Sequence, residues 1–324
     1  MAAEPRSISG IHHVTAITSD AQKNLDFYFG VLGLRLVKLT VNFDDPGSYH
    51  LYYGDELGRP GTILTFFAWP GAQRGRIGVP QVAATSFSIP SGSLEFWSKR
   101  LRSLHLLESQ PEERFGDRLL RFTDPDGLQC ELVESKEAKG RPWRNGPIPT
   151  ESAIRGFQSI TLAEEGYEKT ASLLTAMMQF KHIGSDQNRS RYQATAGDGF
   201  ASTVDVLCTP AGKLGSLGAG VVHHVAFRAS NDAEQAEWHQ AISSAGYNVS
   251  PVMDRCYFHS IYFREPGGVL FEIATDNPGF TADQSADVLG TKLMLPPWME
   301  RYRKQIEQAV TPLKLPITGR AVQA

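Results

Sequence analysis

Ile11-His12-His13-Val14-Thr15 near the start of the chain and Val222-His223-His224-Val225-Ala226 far downstream read almost alike. Each sets a histidine pair inside an apolar run of strand-favouring composition. A third segment, Gly268-Val269-Leu270-Phe271-Glu272-Ile273-Ala274, reads as a buried strand that carries one carboxylate. Two imidazoles and one carboxylate can hold one face of a cation and leave other positions open, which is the ligand set of non-haem Fe(II) oxygenases. Recurrence of a segment also raises the question of repeats along the whole chain.

Four passages share one order: an apolar strand, a polar cap, an amphipathic helix ending near a glycine, then two or three strands. The first begins at Gly10 with a helix over 20–32, and the second at Ala83 with a helix over 93–104. The third begins at Gly156 with a helix over 167–178, and the fourth at Val221 with a helix over 232–245. Leu25, Phe29 and Leu32 fall three and four apart and give the first helix one face to press on a sheet. The turns Asp124-Pro125-Asp126-Gly127 and Glu265-Pro266-Gly267-Gly268 occupy the same place in modules two and four. This pattern predicts an α+β fold of four βαβββ modules in two tandem domains, with curved mixed sheets around a metal cavity. The Pro- and Gly-rich stretch 140–149 reads as the linker. The expected domains are 1–140, supplying His13, and 150–280, supplying His224 and Glu272, followed by a helical extension over 281–324.

Bulk properties exclude more than they select. With 324 residues and 41% hydrophobic composition the chain can bury one large core or two ordinary ones. A net charge of -3 provides no field for a polyanion, so nucleic acid is not an expected partner. No run approaches the ~20 apolar residues that span a bilayer. Residues 1–9 also lack the order of a secretory signal, so the expectation is a cytoplasmic protein with no membrane partner. Cys130, Cys208 and Cys256 show no C-x-x-C spacing and cannot all pair, and are read as thiols.

Further motifs carry a resemblance. They are Tyr49-His50-Leu51-Tyr52-Tyr53-Gly54-Asp55-Glu56, Gly61-Thr62 with Thr65-Phe66-Phe67, Gly92 to Trp97, Arg114-Phe115-Gly116, Arg255 with Tyr257-Phe258, and Pro266 to Glu272. With the two His pairs, they make the chain resemble the vicinal oxygen chelate superfamily (glyoxalase, bleomycin resistance and extradiol dioxygenase). Within it the chain is similar to ring-cleaving dioxygenases of the hydroquinone type. The resemblance runs from about Ser9 to Pro296-Pro297-Trp298. It implies paired βαβββ modules around a metal, with one His ligand taken from the N-terminal module. It also implies that Arg255 and Tyr262 lie beside the substrate.

Which modules can hold a metal follows from aligning their opening strands. His13 and His224 fall opposite Ala84 in module two and Gln158 in module three, and Glu131 matches Glu272 but lacks His neighbours. One site is therefore expected, from the first and last modules. Strand alternation puts His13 on the face of Thr15 and His224 on that of Ala226, suited to a cavity, whereas His12 and His223 share faces with Val14 and Val225. His13, His224 and Glu272 are thus the expected metal ligands. His12 and His223 are expected to support them from behind, since a ligating imidazole needs its other nitrogen fixed.

The expected activity is a non-haem Fe(II), extradiol-type dioxygenase opening the ring of a hydroquinone or catechol-like phenol with O2, with Mn(II) as the alternative metal. Arg255 would stabilise a phenolate and Tyr262 would exchange a proton. Thr15 and His259 are carried as substrate-binding candidates, although His259 alternates with Tyr262. Competing readings are a glyoxalase-like lyase or isomerase and a non-catalytic small-molecule-binding protein. Module one closes with Leu64-Thr65-Phe66-Phe67, without the second carboxylate a lyase would use as base. His105, His182 and His239 read as solvated, with His182 in a polar loop, and Trp97 and Trp238 as core. The segment 296–309 reads as a helix for the sheet or a second subunit, so a homo-oligomer is also an expectation.

Overall fold

The computed structural model describes residues 7–107, 109–136 and 138–316. Its strands are β1 (Ile11–Thr18), β2 (Arg35–Asn42), β3 (Asp45–Gly54), β4 (Ile63–Ala68), β5 (Gln81–Pro90), β6 (Glu112–Arg114), β7 (Asp117–Thr123) and β8 (Gln129–Ser135). The second half repeats the order with β9 (Gly156–Glu164), β10 (Phe180–Asp186), β11 (Arg189–Ala194), β12 (Thr203–Cys208), β13 (Val222–Ala229), β14 (Met253–Asp254), β15 (Phe258–Arg264) and β16 (Leu270–Pro278). Helices follow the opening strand of each module: α1 (Ala21–Leu25, continued by a π turn), α2 (Leu94–Ser103), α3 (Glu168–Ser172, also continued by a π turn) and α4 (Asp232–Ser244). Asp20 and Asn231 start α1 and α4 by accepting backbone N–H bonds from the first turn.

Two eight-stranded mixed sheets result. One runs β14-β15-β16-β13-β1-β4-β3-β2 and the other β10-β11-β12-β9-β5-β8-β7-β6. Each sheet therefore joins one module from each half of the chain: first with fourth, second with third. The seams are antiparallel, β1 with β13 and β5 with β9. Within modules the first and last strands run parallel, which the intervening helix permits. Helix faces close the outer side of the sheets, with Trp97 and Trp238 fully buried at matching places. Asp124 and Glu265 tie their own turns by accepting backbone N–H groups of Leu128 and Val269.

Some local expectations change. His182 lies on β10 rather than in a loop, because β10 is an exposed edge strand with polar residues on both faces and so carries no alternation. The C-terminal extension, described as far as Pro316, forms short 3₁₀ turns and one helix, α5 (Arg303–Ala309), that buries Met299, Ile306 and Val310 in the core. No described helix is long and apolar enough to cross a membrane.

Candidate metal centre and substrate cavity

Both histidine pairs sit on β-bulges. Along the β1–β13 seam Ile11 pairs with Phe227 and His13 with Ala226, so His12 is the extra residue; Thr15 pairs with His224 and Ala16 with Val222, so His223 is the extra residue on the other strand. A bulge breaks alternation and turns neighbouring side chains. Strict alternation would send the two rings of each pair to opposite faces. Instead Nδ1 of His12 lies 2.9 Å from Nδ1 of His13, and Nδ1 of His223 lies 2.8 Å from Nδ1 of His224.

With Nδ1 so engaged, Nε2 of His13 and Nε2 of His224 both face Oε2 of Glu272, at 3.3 and 2.9 Å. All three side chains are buried, and their ligand atoms lie within 4.8 Å of one another. Oε2 accepts no hydrogen bond, whereas Oε1 receives one from Ser260 Oγ at 2.5 Å. A buried carboxylate oxygen left without a donor between two imidazole nitrogens is costly unless a cation completes it. The N2O donor set therefore fits a divalent transition metal, and the absence of thiolates fits iron or manganese better than a structural zinc.

The pKa shifts agree with ligand-ready imidazoles. Burial, then the adjacent His13, holds His12 well below the usual range, and burial followed by His224 pushes His223 down to about 3. Neutral neighbours can accept the Nδ1–H of the ligating rings and leave Nε2 with its lone pair outward.

Above this floor lies a cavity of about 320 Å³. Phe67, Trp69, Phe258 and Leu270 form apolar wall, while His223, Arg255, Tyr262, Thr15 and His50 bring polar groups. Arg255 Nε reaches Tyr262 Oη at 3.3 Å and Nη1 reaches Asp44 at 3.1 Å. Burial opposes the Arg255 charge, but Tyr262 and Asp44 outweigh it and raise its pKa. Burial, then Glu272, keeps the Tyr262 phenol protonated.

Of the residues anticipated, Thr15, His223, Arg255 and Tyr262 line the cavity with His13 and His224, Glu272 lies buried beneath those two rings, and His12 packs behind against Phe258. His259 is not brought there: its ring pairs with Asp232 at the start of α4, at 2.6 Å, on the outer face. Alternation along β15 decides this. His50, Tyr52, Asp44 and Trp69 were overlooked as cavity residues. His50 and Tyr52 alternate with Tyr49, Leu51 and Tyr53, which is a usable signal; Asp44, in the turn between β2 and β3, and Trp69, just after β4, carry none.

In the second sheet the same bulges recur at Ala83 and Gln158. His224 thus corresponds to Ser159, not to Gln158, while Ala84 does correspond to His13. Register also places both Glu131 and Asp205 where Glu272 stands. Arg114 clasps Glu131 at 2.8 and 2.9 Å and Arg191 clasps Asp205 at 2.8 and 3.0 Å, so these carboxylates are satisfied by guanidinium groups.

Comparison with known proteins is consistent with this geometry. A relative from Bacillus subtilis (strain 168), named "Putative ring-cleaving dioxygenase MhqO", is 50% identical over 306 residues, covering 94% of this chain and 97% of its own. The chlorohydroquinone/hydroquinone 1,2-dioxygenase of Sphingobium indicum is 37% identical over 309 residues, covering 93% and 96%. A solved structure from Bacillus subtilis subsp. subtilis str. 168, described as a "putative dioxygenase", superposes with a TM-score of 0.91 at 48% identity, covering 95% and 98%. The model of the Glyoxalase/Bleomycin resistance protein/Dioxygenase superfamily matches residues 10–132 and 154–273, one stretch in each half of the repeat. The four-module fold, with a bulge in the opening strand of each module, accompanies these matches: this chain belongs to the Glyoxalase/Bleomycin resistance protein/Dioxygenase superfamily.

Proposed function

We propose that the protein is an Fe(II)-dependent, extradiol-type ring-cleaving dioxygenase acting on a hydroquinone or catechol-like phenol with O2, with His13, His224 and Glu272 holding the metal. The observation that carries this reading is the convergence of those three buried groups on one point beneath an apolar-walled cavity. The names of the relatives supply the reaction class. Bound Fe(II) would supply the redox chemistry that joins an aromatic ring to O2, and Mn(II) suits the same donors.

The protein's own residues have separate tasks. His12 and His223 fix the ring orientation of the two ligands through Nδ1. Arg255 places a cation on the cavity wall, which lowers the cost of ionising a phenol whose ordinary pKa is about 10. Tyr262, protonated and held by Arg255, offers an O–H to an oxygen in the cavity. The aromatic and aliphatic walls exclude water from a flat ring. A lyase on this scaffold would place its base on the last strand of module one, and there Thr65 stands at the position that Glu272 occupies in module four.

The test is metal content and O2 consumption of anaerobically Fe(II)-loaded protein with hydroquinone and with catechol, wild type beside His224→Ala. Iron near one per chain, with O2 uptake and ring-opened product lost in the variant, supports the proposal. Stoichiometric metal without O2 uptake on any phenol would overturn the dioxygenase assignment, and no metal in either protein would overturn the ligand assignment.

A further inference from the structure

We propose that Tyr52, His50 and Thr65 form a hydrogen-bonded chain that fixes the hydroxyl of Thr15 as a one-way donor into the cavity, and so positions an oxygen atom of the phenolic substrate. This deepens the functional reading above and rests on it. His50, Tyr52 and Thr65 are positioning residues, acting through Thr15.

Tyr52 Oη lies 2.9 Å from His50 Nδ1, His50 Nε2 lies 2.7 Å from Thr65 Oγ1, and Thr65 Oγ1 donates to Thr15 Oγ1 at 3.1 Å. Direction follows from proton counting. Thr65 has one hydroxyl proton and gives it to Thr15, so towards His50 it can only accept, and His50 must carry its proton on Nε2. Burial, with His13 next, holds His50 well below the usual range, so the ring is neutral and Nδ1 is an acceptor. Tyr52, kept protonated chiefly by burial, is then the donor to it. At the other end, Thr15 receives the chain and retains a proton of its own. Thr15 and His50 both line the cavity, and among the described residues no acceptor is given to the Thr15 hydroxyl.

The internal symmetry explains why such a chain stands here. Register aligns Thr65 with Glu272, Tyr52 with Tyr262, and His50 with Ser260. In module four Ser260 donates to the carboxylate that faces the ligating histidines. In module one the equivalent neighbours orient a hydroxyl. The metal side and the substrate side of one cavity are thus the two copies of one structural position.

The experiment is anaerobic calorimetric titration of hydroquinone into Fe(II)-loaded wild type, Thr15→Val, Thr65→Val, His50→Leu and the Thr15→Val/Thr65→Val double variant, with iron content and circular dichroism recorded for each. Thr15→Val should weaken hydroquinone binding about five- to tenfold, the effect of one lost hydrogen bond. Thr65→Val and His50→Leu should weaken it less, since an undirected hydroxyl remains. The double variant should bind as Thr15→Val alone does, because the chain acts only through that hydroxyl, and Thr65→Ser should restore wild-type affinity. Additive losses, or unchanged binding in Thr15→Val with iron retained, would overturn the chain. Failure of the wild type to bind hydroquinone at all would instead overturn the function it rests on.

Discussion

Glu164→Gln should make the protein's stability less dependent on pH, through a proton that the fold forces onto one buried carboxyl. Glu164 ends β9 with no exposed surface. Its Oε2 lies 2.6 Å from Thr170 Oγ1, which lies 2.7 Å from Glu265 Oε2. One hydroxyl proton cannot serve two carboxylates. Glu265 already accepts backbone N–H groups from Gly267 and Val269, whereas Glu164 Oε1 has no partner. The additional proton therefore sits on Glu164, whose pKa is raised to about 8 by burial first and by Glu265 second. Between the unfolded value near 4.5 and about 8 the folded chain holds a proton that the unfolded chain has lost, so stability is greatest at the acid end and falls as pH rises. The slope is about 1.4 kcal/mol per pH unit, or on the order of 5 kcal/mol over the window.

Gln at 164 stays neutral at every pH, and its amide can donate to Thr170 as the protonated carboxyl does. Urea unfolding of metal-free protein, followed by circular dichroism at one-unit steps from pH 5 to 9, reads the difference between variant and wild type. Other titrating groups, such as Asp124, whose carboxyl burial raises to about 6, are common to both chains and cancel. The two should be nearly equal at the acid end, with the variant increasingly the more stable towards pH 8. A difference that does not change across that range would refute the reasoning.

Other predictions follow from the sites. Metal at a hundred times its dissociation constant should stabilise the wild type by about 2.7 kcal/mol, visible as a raised Tm, and Glu272→Ala should show no such rise. Arg255→Met should lower kcat/KM for hydroquinone by roughly tenfold or more, the order expected for a lost charged hydrogen bond; unchanged kcat/KM would remove Arg255 from substrate contact. Arg114→Met should cost about 3 kcal/mol in chemical denaturation by removing the guanidinium that clasps buried Glu131 and leaving it only the more distant Arg121 at 3.4 Å among the described residues, and adding Glu131→Gln should recover much of that. Trp97→Ala should cost about 3–5 kcal/mol, since the fully buried indole seals α2 to the second sheet.

The sequence by itself determined whatever depends on neighbours along the chain. Strand composition, helix periodicity and turn chemistry recur four times, so the four-module α+β architecture could be read from one strand of text. The ligand trio could be singled out as well, because polar groups stand out in apolar strands whose neighbours are otherwise buried. Contacts between distant strands decided the rest. His12 and His223 turn towards their neighbours because each is the extra residue where β1 meets β13, and a bulge exists only once two strands are paired. Asp205 takes the place of Glu272 only when register aligns β12 with β9, and Arg114 and Arg191 neutralise the second site by reaching across strands. His259, carried as a substrate-binding candidate although alternation sets it on the face opposite Tyr262, pairs with Asp232 on α4, as that alternation implied. His50, quoted in the sequence as a motif residue, shows no role there for the converse reason: its partners Thr65 and, through it, Thr15 come from separate strands, and a hydrogen-bond chain has direction only when the packed sheet leaves each hydroxyl one proton to give.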